Sequence, residues 1–172
     1  MNKKELDMQN FRTKSIVEAG ILAGAFGGAC MALAANLGAF YLESDFWGPM
    51  KNVSAVFLGE GAQQGSLAVI LVGVATHFLF SIIWGVIFSF ITKRVTSSSS
   101  EVVAGILFGG AVWAFMTYLF LPVVSPEVIV TREGMEGWWF GYHMVFGFGL
   151  GITAPLKRSL ERDIAPSQRV AH

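Results

Sequence analysis

Four long stretches of this chain are almost free of charge, and its basic residues collect in the segments that alternate between them. Residues 16–41 hold one acid, Glu18, while residues 67–91, 102–124 and 137–156 hold no Asp, Glu, Lys or Arg. Each stretch reaches the roughly 20 residues that cross about 30 Å of hydrocarbon at helical rise. With 53% hydrophobic and 14% charged residues and a mean hydropathy of +0.57, the chain is too apolar for a soluble domain of its size. The pattern predicts an all-α membrane protein, a four-helix transmembrane bundle forming one domain over residues 1–172. The longest segment between spans, 42–66, is too short for an independent soluble domain.

The distribution of Lys and Arg predicts orientation, because cationic loops resist translocation. Lys3, Lys4, Arg12 and Lys14 precede the first span, Lys93 and Arg94 lie between the second and third, and Lys157, Arg158, Arg162 and Arg169 follow the fourth. Only Lys51 and Arg132 fall in the other loops, which carry Glu43, Asp45, Glu60, Glu127, Glu133 and Glu136 instead. Both termini are therefore expected in the cytoplasm, with the basic face toward anionic lipid headgroups. Residues 1–15 are polar and lead into an apolar stretch longer than a signal peptide's, which predicts a retained helix. Cys30 is the lone cysteine, so no disulfide forms within the chain.

Segment 42–66, with Phe46-Trp47-Gly48-Pro49 and the apolar run 53–58, suits an interfacial helix or a re-entrant turn. Residues 96–100 read as a flexible polar connector, Trp138 and Trp139 as headgroup-level anchors of span four, and the tail after Pro155 as a helix that frays near Pro166.

An internal repeat emerges from the spans. Ala-Gly-Ile-Leu recurs at 19–22 and 104–107, with Gly24 matching Gly109 and Met31 matching Met116; His77, Phe80, Ser81 and Gly85 match His143, Phe146, Gly147 and Gly151. A helix hairpin used twice would keep its orientation, so the copies would be related about the membrane normal. Gly20, Gly24 and Gly28, Gly105 with Gly109, and Gly147 with Gly151 form small-residue strips that let helix backbones approach closely. Gly85, on the same helical face as His77 and Ser81, extends the pattern to span two.

That spacing turns His77 and His143 into the bundle at similar depth, roughly 24 and 21 Å from the inner cations Lys93 and Lys157 at helical rise. Ser81, Tyr118, Tyr142, Thr76 and Thr117 are candidate polar neighbours, and Glu18 pairs with Lys14 one turn before it. The large residues Phe80, Trp84, Phe88, Phe146 and Phe148 would face lipid or fill gaps. Three readings of the histidine pair are open: hydrogen bonds that fix helix packing, a polar pathway in a small channel or transporter, and axial ligation of a b-type haem in an electron-transfer subunit. Phosphate loops, nucleophile triads, paired carboxylates at depth and multi-ligand metal clusters are absent from the sequence. An enzyme is the least favoured class. A non-enzymatic structural or accessory role follows, in contact with lipid and with further copies or other membrane subunits, and without nucleic acid.

Thr76-His77-x-x-Phe80-Ser81-Ile82, Leu121-Pro122 with Pro126, and Gly141-Tyr142-His143 before a basic tail resemble the YagU-type group of small bacterial inner-membrane proteins over residues 67–163. Segment 42–66 has no counterpart. The resemblance implies a four-helix inner-membrane protein associated with acid tolerance, and it brings no catalytic residue.

Overall fold

The computed structural model describes residues 2–95, 97–126 and 134–169, apart from the side chains of Lys4, Asp7, Glu60 and 163–169. The expectations for Glu127, Arg132 and Glu133 lie outside the described residues. All regular structure among them is helical: α1 (Lys3–Glu43), α2 (Gly48–Leu58), a 3₁₀ turn (Gly59–Gln64), α3 (Leu67–Ile91), α4 (Ser98–Phe115) continued by a π turn (Met116–Phe120) and α5 (Leu121–Val124), then α6 (Glu136–Leu150) and α7 (Thr153–Arg169).

Local chemistry explains the ends. Asn2 and Glu5 form a reciprocal capping box at the start of α1, and Ser44 stops that helix in the left-handed region at φ 58°. Ser66 caps α3, whose backbone ladder then runs to Thr92. Three helical stretches, Met8–Glu43, Leu67–Ile91 and Ser98–Val124, are long and apolar enough to cross a membrane.

The fourth expected span, 137–156, is divided. Pro155 has no N–H to give the Gly151 carbonyl four residues back, and the backbone turns at Gly151 and Ile152 with three-residue bonds from Gly151 N to Phe148 O and from Ile152 N to Gly149 O. The 15 residues of α6 rise only about 22 Å. Two smaller expectations also give way. Residues 98–100 begin α4 rather than forming a flexible connector, and α7 continues past Pro166 to Arg169.

Size is sorted inside out. The centre is built from Ala19, Ala23, Ala35, Ala39 and glycine, with Phe88, Phe146 and Leu150 filling it, while Leu33, Phe40, Leu71, Leu79, Ile91, Leu107 and Phe148 are exposed. A water-facing exterior does not carry so continuous an apolar surface, whereas close packing of helices in lipid favours small residues between them.

Glycine sets the two tightest seams. A β-carbon on Gly24 would lie 2.5 Å from the Ser81 carbonyl oxygen and 2.9 Å from Ile82 Cα, so α1 meets α3 backbone to backbone. One on Gly147 would lie 3.0 Å from Ile106 Cα, which puts α6 equally close to α4. Gly27 and Gly149 bring α1 against α6, with a Gly149 β-carbon 2.6 Å from Gly27 Cα. By contrast, α3 and α4 meet through aromatic rings: Trp84 with Phe108 and Phe115 at 6.0 and 5.3 Å, and Phe80 with Phe120 at 5.5 Å. Helix α2 folds back on α3, where the Ser54 hydroxyl reaches Val69 O at 2.5 Å. At 11 residues it is too short to cross.

Candidate functional site

The bulky seam between α3 and α4 leaves a cavity of about 90 Å³. His77, Ser81, Thr76 and Trp84 of α3 line it together with His143, Trp139 and Phe146 of α6. Val53 and Val56 of α2 contribute a further wall, as do Met116 and Phe120 of the π turn. That turn closes through a five-residue bond, Leu121 N to Met116 O, and so adds a residue to the helix at the cavity wall.

Both histidines are buried, at 8 and 5% exposure, and their contacts differ. Nε2 of His77 lies 2.9 Å from the Gly28 carbonyl on α1, and Nδ1 of His143 lies 2.8 Å from the Trp139 carbonyl one turn earlier on its own helix. A carbonyl only accepts, so the proton sits on Nε2 of His77 and on Nδ1 of His143. The two rings thus hold opposite tautomers in one cavity, and the His77 bond ties α3 to α1.

The remaining predicted polar residues divide. Ser81 and Tyr142 are buried; the Tyr142 hydroxyl has no hydrogen-bond partner among the described residues and abuts Gly38 on α1. Tyr118 does not belong to the interior, being 66% exposed on the outer side of the π turn with its ring against Trp113. Glu18 is likewise at the surface, 3.8 Å from Lys14, where water or headgroups solvate a carboxylate. Trp139 faces the cavity rather than only the headgroup level.

A b-type haem does not fit. His77 Nε2 is committed to Gly28 O, and a 90 Å³ space has room for a few waters, not a macrocycle. Purified protein is expected to show no Soret band; a Soret band lost in His77→Ala would contradict this geometry. Among the described residues no three His, Cys, Asp or Glu side chains converge for a metal.

A second polar centre, which sequence reasoning missed, lies at the other end of the helices. Glu101 is fully buried and Lys157 nearly so. The Lys157 ammonium donates to Thr92 O at 2.9 Å and to Glu101 Oε1 at 3.3 Å, and the Thr92 hydroxyl reaches the same oxygen at 2.8 Å. Glu101 Oε2 has no partner among the described residues. One cluster therefore clamps the end of α3, the start of α4 and the start of α7. Ser98-x-x-Glu101 has the form of a capping box, and that signal points the wrong way: Ser97 is the N-cap, makes no side-chain cap bond, and Glu101 turns inward. Asn36, buried in α1 with an unpartnered Oδ1, was also missed within an apolar run.

No protein-family model matches this chain, and neither a curated protein nor a solved structure does. The likeness to the YagU-type group rests on the residues quoted for it.

Proposed function

We propose that this chain is an integral protein of the bacterial inner membrane, threading it four times as a duplicated helix hairpin with both termini in the cytoplasm. Its role in this reading is structural or accessory and not enzymatic, as a self-associating protein or a subunit of a larger membrane complex. The observation that carries the role is the histidine pair: both ring protons are held by main-chain carbonyls, Gly28 O and Trp139 O, which suits helix packing.

Two features support the architecture. The bond from Ser89 Oγ to Ile16 O and the Lys157 clamp bring the N-terminal part of α1, the 92–101 connection and α7 to one end of the molecule, the end where most of the Lys and Arg residues lie. The glycine strips close α1 on α3 and α4 on α6 in a related way. Gly20 meets Gly85, while its counterpart Gly105 meets Gly147, the counterpart of Ser81. Relative to the sequence repeat, the two seams differ in register by one helical turn.

His77→Ala is expected to lower thermal stability in detergent by about 1–2 kcal/mol, because it removes a hydrogen bond between helices and enlarges a cavity. His143→Ala is expected to lower the midpoint as well, since it enlarges the same cavity. A small channel or transporter is the second reading, favoured by the gathering of Thr76, Ser81, His77 and His143 around one cavity. Liposome flux of protons or solutes decides between them: flux that either substitution abolishes would replace the accessory role with transport.

A further inference from the structure

Beside the Glu101–Lys157 clamp a groove of about 970 Å³ opens between the first turns of α1, the end of α3 and the start of α7. It is two-toned. Arg12, Lys93 and Arg94 line it, and so do Phe11, Ile16 and Phe90. Ile16 begins the apolar run of α1 and Phe90 nearly ends that of α3, so the groove straddles the border between the apolar belt and the charged end.

The charge in the groove is uncommitted on one side only. Arg12, Lys93 and Arg94 are exposed, and none of them is in an ion pair among the described residues. Two acids also line the space, Glu5, whose carboxylate accepts from the Asn2 N–H, and Glu161, so the three unpaired cations outnumber them by one. Lys157 forms part of the floor, but its charge is matched by buried Glu101. An excess of cations therefore surrounds a slot whose other wall is apolar. A soluble phosphate would use only the first of these; a glycerophospholipid would use both, its phosphate on the cations and its acyl chains on Phe11, Ile16 and Phe90.

We propose that this groove is a binding site for an anionic phospholipid headgroup, holding a lipid of the phosphatidylglycerol type at the cationic end of the helices. The proposal rests on the reading of the chain as a membrane protein but does not depend on which side that end faces. In a tight site an Arg guanidinium can grip the phosphate in two-pronged fashion, with Lys93 as a point charge beside it.

The test titrates phosphatidylglycerol or phosphatidylcholine into the purified protein in dodecyl maltoside micelles and reads the rise in thermal midpoint. Phosphatidylglycerol should protect at far lower mole fraction than phosphatidylcholine. Lys93→Gln combined with Arg94→Gln should raise the half-protecting fraction by about thirtyfold, as expected for two interfacial cations, whereas Lys51→Gln at the opposite end should leave it unchanged. A matching lipid-free helical spectrum and midpoint establish that the double variant is folded, and the lipid preference is read on the unaltered chain in any case. Equal protection by both lipids overturns the proposal, as does an unshifted titration in the double variant. Protection of the same size by glycerol phosphate alone would also overturn it and identify a free phosphate site. Release of the chain from membranes by alkaline carbonate would instead sink the membrane reading itself.

Discussion

Replacing Lys157 by methionine is expected to destabilise the protein by about 3–5 kcal/mol, the cost of leaving a buried carboxylate without its counter-charge. Glu101 is 0% exposed and already has one orphaned oxygen, so loss of the ammonium would leave it with the Thr92 hydroxyl alone. Glu101→Met is expected to cost a similar amount, because the Lys157 ammonium would keep only Thr92 O. The double variant Glu101→Met/Lys157→Met should recover most of the loss, since a buried ion pair is often no more stabilising than apolar side chains of like volume. Unfolding midpoints in detergent for the four proteins give the coupling directly. Single variants within about 0.5 kcal/mol of the parent, as ordinary surface changes are, would mean that the clamp is solvated and contributes little.

The second large effect is expected at the α1–α3 seam. Gly24→Val puts a branched side chain where even a β-carbon would stand 2.5 Å from the Ser81 carbonyl oxygen and 2.9 Å from Ile82 Cα. The obstacle is backbone, which cannot rotate aside, so the helices must separate along the whole Gly20, Gly24, Gly28 strip. A loss of about 3 kcal/mol is expected, the upper end of ordinary overpacking. Gly141 supplies the control. It lies within α6, and a β-carbon added there would meet nothing within 4 Å, so Gly141→Ala should be neutral or stabilising by up to about 1 kcal/mol. Equal midpoints for Gly24→Val and Gly141→Ala would contradict the close seam.

Legibility in the sequence followed the strength of the local signal. Helix α3 occupies the same residues, Leu67–Ile91, as the second charge-free stretch, because Ser66 and the Thr92-Lys93 step punctuate a uniformly apolar run. The glycine strips and the inward histidines were readable from four-residue spacing, since helical geometry alone puts such residues on one face. Span four was less readable: its composition is apolar throughout, and the break depends on one missing N–H at Pro155 acting together with the pliant Gly147–Gly151 segment.

The Glu101–Lys157 pair was invisible for a different reason. Each residue has a sufficient local explanation, a first-turn acid in α4 and an interfacial cation after span four, and only the tertiary fold brings them to 3.3 Å. The partners of the histidines were hidden likewise, because main-chain carbonyls leave no trace in residue identity. Tyr118 was misplaced because its helical phase was not weighed: 3.6 residues per turn put it on the face opposite the buried Gly105, Gly109 and Val112.

The number of crossings is what most needs testing, because α6 is short and an odd count would put the two ends of the chain on opposite sides. Paired reporter fusions at the N- and C-termini, one active only in the cytoplasm and one only outside it, measure this in intact cells. Both ends are predicted to report the cytoplasm. A cytoplasmic N-terminus with an external C-terminus would leave three crossings, remove α6 from the membrane, and contradict the four-span architecture proposed for this chain.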